Sequence, residues 1–247
     1  MSVTEILLFG GFCIAGSITQ SVSGFGFAIV LVAGLPLFGV PIQDVVVLIG
    51  IAVMPNLLIA LWRTWRHVSL RRVAWVLVGM PIGVPVGIYL LTEGAAWLVH
   101  ALLGMVLVWA AVEPFLLPSS GPRPTKPIWG IATGVATGAL GAAFGTGGPP
   151  MVVYFCRRQW PKEVTKASLV SVFIVNVTMR TVGYVWTGLF TRDLLLTGLA
   201  FCPAVVLGTL VGERLFHAIS QEAFRRIMAA MLALCGLYQI AKAVGAF

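Results

Sequence analysis

With 247 residues, 59% of them hydrophobic and only 10% charged, the chain has a mean hydropathy of +1.01, which excludes an ordinary soluble domain. The formal net charge of +8 comes from basic residues set in loops between apolar runs, a placement that argues for a membrane protein and against nucleic-acid binding. The composition is that of an all-α polytopic membrane protein.

The N-terminal run Met1-Ser2-Val3-Thr4-Glu5 has neither a basic leader segment nor a small-residue cleavage site and reads as no removable signal peptide. The first apolar stretch, residues 4–38, is interrupted by Gln20-Ser21-Val22-Ser23-Gly24-Phe25-Gly26 and predicts a helix hairpin with arms at 5–20 and 27–38. Each arm is short: about 16 residues of helix cover about 24 Å, against a hydrocarbon core of roughly 30 Å. Length alone leaves open whether such a hairpin is re-entrant or crosses. Full spans follow at 44–63, 72–92 and 96–117. The segment 118–127, Pro118-Ser119-Ser120-Gly121-Pro122-Arg123-Pro124-Thr125-Lys126-Pro127, is too proline-rich for helix and reads as a linker between halves 1–117 and 128–247. The second half begins with another hairpin, arms 128–143 and 149–158, broken at Gly145-Thr146-Gly147-Gly148-Pro149-Pro150. Spans at 164–188, 192–212 and 223–245 complete it.

The halves show a weak internal repeat. Gly24-Phe25-Gly26 aligns with Gly145-Thr146-Gly147, Pro41 with Pro161, Asn56 with Asn176, and Gly83-Val84-Pro85-Val86-Gly87 with Gly208-Thr209-Leu210-Val211-Gly212. One hairpin and three spans per half would place the second half upside down. Basic residues agree: the loop 38–44 has none, whereas its counterpart carries Arg157, Arg158, Lys162 and Lys166. By the positive-inside rule, loops 63–72, 118–127, 157–166 and 213–226 face the cytoplasm and both termini lie outside.

A helix broken inside a bilayer strands backbone N–H and C=O groups, each costing several kcal/mol unless protein, water or a ligand satisfies them. The second arm of each hairpin starts at the break, so its free N–H groups and positive dipole end suit an anion. Neutral donors gather at the same depth: Thr19, Gln20, Ser21 and Ser23 in one half, Thr137 and Thr146 in the other. Gly147 and Gly148 allow close approach to the backbone. The competing reading is that the glycines only permit helix packing and the hydroxyls only cap.

Ser23-Gly24-Phe25-Gly26 with Leu35-Pro36-Leu37, and Gly145-Thr146-Gly147-Gly148-Pro149-Pro150 followed by Asn176, resemble the duplicated signature of the sulfite exporter TauE/SafE family. The resemblance covers essentially the whole chain. It implies transport of sulfur-containing anions such as sulfite, sulfoacetate and related organosulfonates across the bacterial inner membrane, generally without ATP. The expected protein is thus a multi-pass secondary transporter working by alternating access, with a small-anion channel or a carboxylate transporter as the alternatives. Its expected partners are a small anionic substrate and the lipid bilayer; a homodimer and a coupling ion, proton or other, stay open. No cofactor or metal is expected.

Within the spans, Arg180 shares a helical face with Asn176, and a guanidinium there is either functional or paired. Contact with the anion is one reading; pairing with Glu113 or Asp193, and snorkelling, are the others. Asn56 and Asn176 read as supports of the hairpin tips or as inter-helix hydrogen bonds. The expected substrate-binding set is Gln20, Ser21, Ser23, Gly24, Gly26, Asn56, Gly145, Thr146, Gly147, Gly148, Asn176 and Arg180. Enzyme motifs are absent: no His-Glu-x-x-His, no Gly-x-Ser-x-Gly, and no lysine after the glycine loop. His100 and Glu113 lie too far apart on one span for a direct proton relay. Cys13, Cys156, Cys202 and Cys235 have no metal-ligand spacing, and the tryptophans near span ends form an aromatic belt.

Overall fold

The computed structural model describes residues 3–93, 126–158 and 160–244, and every regular element among them is helical. The first apolar stretch forms α1 (Val3–Ser23) and α2 (Phe27–Gly34), followed by a 3-10 turn at Leu35–Phe38. Between the arms Gly24 has φ 82° and Gly26 φ 120°, left-handed backbone that costs a side-chain-bearing residue about 1–2 kcal/mol.

The span expected at 44–63 is two helices, α3 (Ile42–Ala52) and α4 (Met54–Thr64), with the break at Val53. Pro55 explains it, since proline has no N–H to return to the Ile51 carbonyl. Next come α5 (Leu70–Glu93), α6 (Pro127–Phe144), α7 (Gly148–Cys156) and α8 (Lys162–Trp186). The span expected at 192–212 is likewise broken, into α9 (Arg192–Ala200) and α10 (Cys202–Ala218), bent by 42° where Pro203 starts the second piece. Helix α11 (Gln221–Val244) covers the last expected span. Because α10 runs to Ala218, the expected loop 213–226 shrinks to Ile219 and Ser220. The expected span 96–117, most of the linker, Trp97, His100 and Glu113 lie outside the described residues.

Among the described residues, four helical stretches are long and apolar enough to cross a membrane: Ile42–His67, α5, α6 and α8. The bent pair α9 and α10 makes a fifth. Trp62, Trp65, Trp129 and Trp186 are exposed on the outer surface near helix ends, as an aromatic belt requires.

Two close helix pairs connect the halves: α5 packs on α6, and α1 packs on α10. Both depend on glycine. A Cβ at Gly83 would lie 2.1 Å from the Val135 carbonyl oxygen, and one at Gly134 2.0 Å from that of Val76. In the other pair, a Cβ at Gly208 would lie 2.6 Å from the Ile14 carbonyl oxygen. Small residues let backbones touch, which inside a bilayer supplies the dispersion contacts that replace hydrophobic drive.

An amide fastens each hairpin's first arm. Asn56 Nδ2 donates to the Ser17 carbonyl (3.2 Å), Ser21 Oγ (2.9 Å) and Thr209 Oγ1 (2.8 Å), whereas Asn176 Nδ2 donates to the Thr137 carbonyl at 3.4 Å. Both side chains reach back 39 positions to a carbonyl. Membrane hydrogen bonds average below 1 kcal/mol each, so Asn56→Ala is expected to cost about 1–2 kcal/mol and Asn176→Ala clearly less. Thermal unfolding of the two purified variants checks this order.

Candidate functional site

Helix α8 runs through the middle of the molecule, touching α3, α4, α5, α6 and α7. It presents three polar side chains to the ends of the hairpins' first arms. Arg180, 1% exposed, donates from Nη1 to the Gly141 carbonyl at 2.7 Å, and the Tyr184 hydroxyl donates to the Ala142 carbonyl at 2.6 Å. Lys166, fully buried, donates to the Ser21 carbonyl at 2.7 Å. These carbonyls belong to the last turns of α6 and α1, where helices leave oxygens unpaired and the dipole is negative, so a cation is favoured. Each broken arm therefore ends against a cation of α8.

The two tips meet. A Cβ at Gly148 would come 2.6 Å from the Cβ of Phe25, and one at Gly145 would come 3.4 Å from that of Ala28 and 3.4 Å from Arg180 Nη1. Where they meet lies a small cavity with an open mouth. Gln20, Phe25, Gly26, Phe27, Ala28 and Ile29 line it from the first hairpin; Gly145, Thr146, Gly148 and Pro149 line it from the second. Ile49, Val53 and Leu57 of α3 and α4 with Phe173, Val177 and Arg180 of α8 complete the wall.

Its chemistry is apolar with one charge. Arg180 is the single charged group among the lining residues, and its Nε is buried without a partner; so is Thr146 Oγ1. An orphaned guanidinium N–H and an orphaned hydroxyl, both on residues of one cavity wall, each want a partner, since leaving such a group unmatched costs about 1–3 kcal/mol. The helix starts differ. At α2, Gln20 Oε1 accepts the Phe27 N–H (3.2 Å), and the first helical bond is Val30 N–H to the Gly26 carbonyl. At α7, Pro149 and Pro150 remove two of the usual four free N–H donors. Arg180 thus adds positive charge on the side poorer in backbone donors.

Six of the residues expected from sequence line this cavity: Gln20, Gly26, Gly145, Thr146, Gly148 and Arg180. The other six do not. Ser21 Oγ accepts from Asn56, and Ser23 Oγ bonds the Thr19 carbonyl (2.7 Å), the Phe25 carbonyl and the Phe25 N–H (3.3 Å), which shapes the turn. Gly24 packs on Leu169, and a Cβ at Gly147 would lie 2.6 Å from the Thr137 carbonyl oxygen, so close backbone packing accounts for that glycine. Asn56 and Asn176 hold the arms as described. Among the described residues Arg180 makes no ion pair: Asp193 is exposed, and Glu113 is outside the described residues.

Two features escaped the sequence. Phe25, Phe27 and Phe173 supply the apolar wall, and Lys166, counted as a cytoplasmic-loop cation, is inside, 2.6 Å from Glu213 of α10. Lys166 stands four residues after Lys162, one turn into α8, and no local pattern links it to an acid 47 positions away.

An anion seated between the tips would take a charge-assisted hydrogen bond from the orphaned hydroxyl, so Thr146→Val is expected to weaken its binding at least about tenfold, without lowering thermal stability. Titration of sulfite into the purified variant measures the first, and its unfolding temperature the second.

Residues 7–239 match the family model described as "Sulfite exporter TauE/SafE". The chain is 27% identical over 237 residues to a protein of Cupriavidus necator named "Probable sulfite/organosulfonate exporter TauE", covering 94% of this chain and 93% of that one. It is 26% identical over 176 residues to the "Probable inner membrane transporter protein TsaS" of Comamonas testosteroni, covering 70% of this chain and 73% of that one. No solved structure matches.

Proposed function

The chain belongs to the sulfite exporter TauE/SafE family, a family of membrane transporters rather than enzymes, and from that premise we propose that it carries a small sulfur-containing anion across the bacterial inner membrane. The substrate is sulfite, sulfoacetate or another organosulfonate, bound in the cavity between the hairpin tips. The observation that carries this is Arg180: one buried guanidinium, with an unpartnered Nε, among otherwise uncharged described lining residues where two helices begin. A planar fork of N–H groups suits two oxygens of a sulfite or sulfonate, and neutral neighbours let the anion leave again. Relatives named for sulfite, organosulfonate and inner-membrane transport support the reading.

Alternating access then follows from two inverted repeats, 1–117 and 128–247, rocking around the site, with 118–127 as a cytoplasmic linker. The exchanged pairing of α1 with α10 and α5 with α6 supports this, as does the shared 39-residue reach of Asn56 and Asn176. Both termini lie outside. Cysteines introduced at Ser2 and Ala246 are expected to react with an impermeant maleimide from the periplasmic side; labelling only after permeabilisation overturns the topology.

Uptake of radiolabelled sulfite, sulfoacetate and taurine into proteoliposomes, with and without a pH gradient, tests the function. Saturable transport of at least one of them is expected. Equal flux in protein-free liposomes refutes it.

A further inference from the structure

We propose that the buried Lys166–Glu213 pair is a proton-binding site that couples proton movement to the anion carried at the neighbouring cavity, an inference that rests on the transport reading above. Both residues are fully buried, Lys166 Nζ lies 2.6 Å from Glu213 Oε1, and Glu213 Oε2 is buried with no partner among the described residues. A buried carboxylate with one oxygen paired and the other orphaned leaves one acceptor position open. The pair joins three elements: Lys166 of α8 donates to Ser21 of α1 and to Glu213 of α10, and its ammonium lies 3.9 Å from the centre of the Phe216 ring. Ser21 stands three residues before Gly24, where the first tip turns.

The fold itself does not require ions here. The repeat alignment that pairs Pro161 with Pro41 and Gly212 with Gly87 sets Lys166 opposite Val46 and Glu213 opposite Ile88. Val46 and Ile88 belong to one apolar cluster with Tyr184. An apolar pair thus serves the corresponding place in the first half, and buried ion pairs are seldom more stabilising than apolar replacements. A charge pair kept where the scaffold works without one points to a use for the charge.

The proton arrives from water and binds Glu213 Oε2; the carboxylate becomes a neutral carboxyl, and Lys166 keeps its ammonium on the Ser21 carbonyl. The site passes from net zero to net +1. Beyond Glu213, the charged groups that act on Lys166 through space are Arg63 of α4, which is exposed, and Lys162 of α8, which is part-buried, while Arg214 and His217 of α10 are exposed. Protonation therefore favours an anion on the same helix, where Phe173, Val177 and Arg180 line the cavity, and by reciprocity the anion favours the proton. It also removes the ionic tie between α8 and α10.

Two measurements on the full-length protein test this. In detergent, infrared pH-difference spectra of wild type are expected to show a protonated-carboxyl band that Glu213→Gln lacks. In proteoliposomes, a sulfonate that does not titrate, such as methanesulfonate, removes the substrate's own proton chemistry. A pH gradient is expected to raise its accumulation about tenfold in wild type and less than about twofold in Glu213→Gln and in Lys166→Val/Glu213→Ile, with gradient-free counterflow retained in both. The double variant copies the apolar pair of the first half and stands in should the single one fail to fold. Wild-type accumulation in either folded variant overturns the proposal, as does a wild-type spectrum with no band that the substitution removes. Absence of counterflow for every sulfur anion would instead sink the transport reading, and the infrared titration would still decide the proton site.

Discussion

Arg180→Gln is expected to lower sulfite affinity or turnover at least tenfold, about 1.4 kcal/mol, while folded protein is still obtained. Glutamine can keep a hydrogen bond toward the Gly141 carbonyl, so the arm's end need not come loose, but the only charge among the described wall residues disappears. Arg180→Lys is expected to recover part of the loss, because an ammonium supplies charge without the fork that grips two oxygens. Anion binding and thermal unfolding measured on the same samples separate the two roles of this side chain. Reduced unfolding temperature with unchanged binding would leave Arg180 as a helix cap and nothing more.

Gly83→Leu is expected to remove folded protein altogether, and Gly134→Leu likewise. The added Cβ alone would sit 2.1 Å or 2.0 Å from a backbone carbonyl oxygen, and backbone cannot swing aside as a side chain does. Separating α5 from α6 would release the pairing that joins the first half to the second hairpin, so the cost is at least about 3 kcal/mol, the upper range for overpacking. Yield of monodisperse protein in detergent reads the effect. The contrast is Gly39, where a Cβ would meet nothing within 4 Å: Gly39→Ala bears only its backbone strain (φ 81°) and is expected to give folded, active protein.

The membrane class, both broken hairpins and the polar residues Asn56 and Asn176 inside apolar spans were legible because each leaves a local mark: a long apolar run, a glycine tract, or an amide among apolar neighbours. Arg180 was legible for the same reason. What the amides do was less so, since support and ligand contact look alike until the partners at Ser17 and Thr137 are seen. Ser21, Ser23, Gly24 and Gly147 show the limit of reading a tip as a unit. Within a turn of a few residues only some side chains face the cavity, and which ones depends on φ values that no pattern reports. The breaks at Val53 and Phe201 were within reach, as Pro55 and Pro203 mark both. Lys166 was hidden by its neighbours: set among Arg157, Arg158 and Lys162, it looks like one more cytoplasmic cation, and only the fold brings Glu213 to it. The aromatic wall was hidden in the opposite way, since Phe25 and Phe27 are apolar residues in an apolar run and carry no mark of their own.

The central claim is that the sulfur anion sits between the two hairpin tips beside Arg180. Selenite, the heavier analogue of sulfite, makes this measurable: crystals of the full-length protein soaked in selenite carry an anomalous signal at selenium. The account predicts a peak in the cavity bounded by Arg180, Thr146 and Phe27, with selenite oxygens about 3 Å from the guanidinium nitrogens, and loss of that peak in Arg180→Gln. A peak confined to the basic loops, or one between the tips that survives Arg180→Gln unchanged, would contradict it.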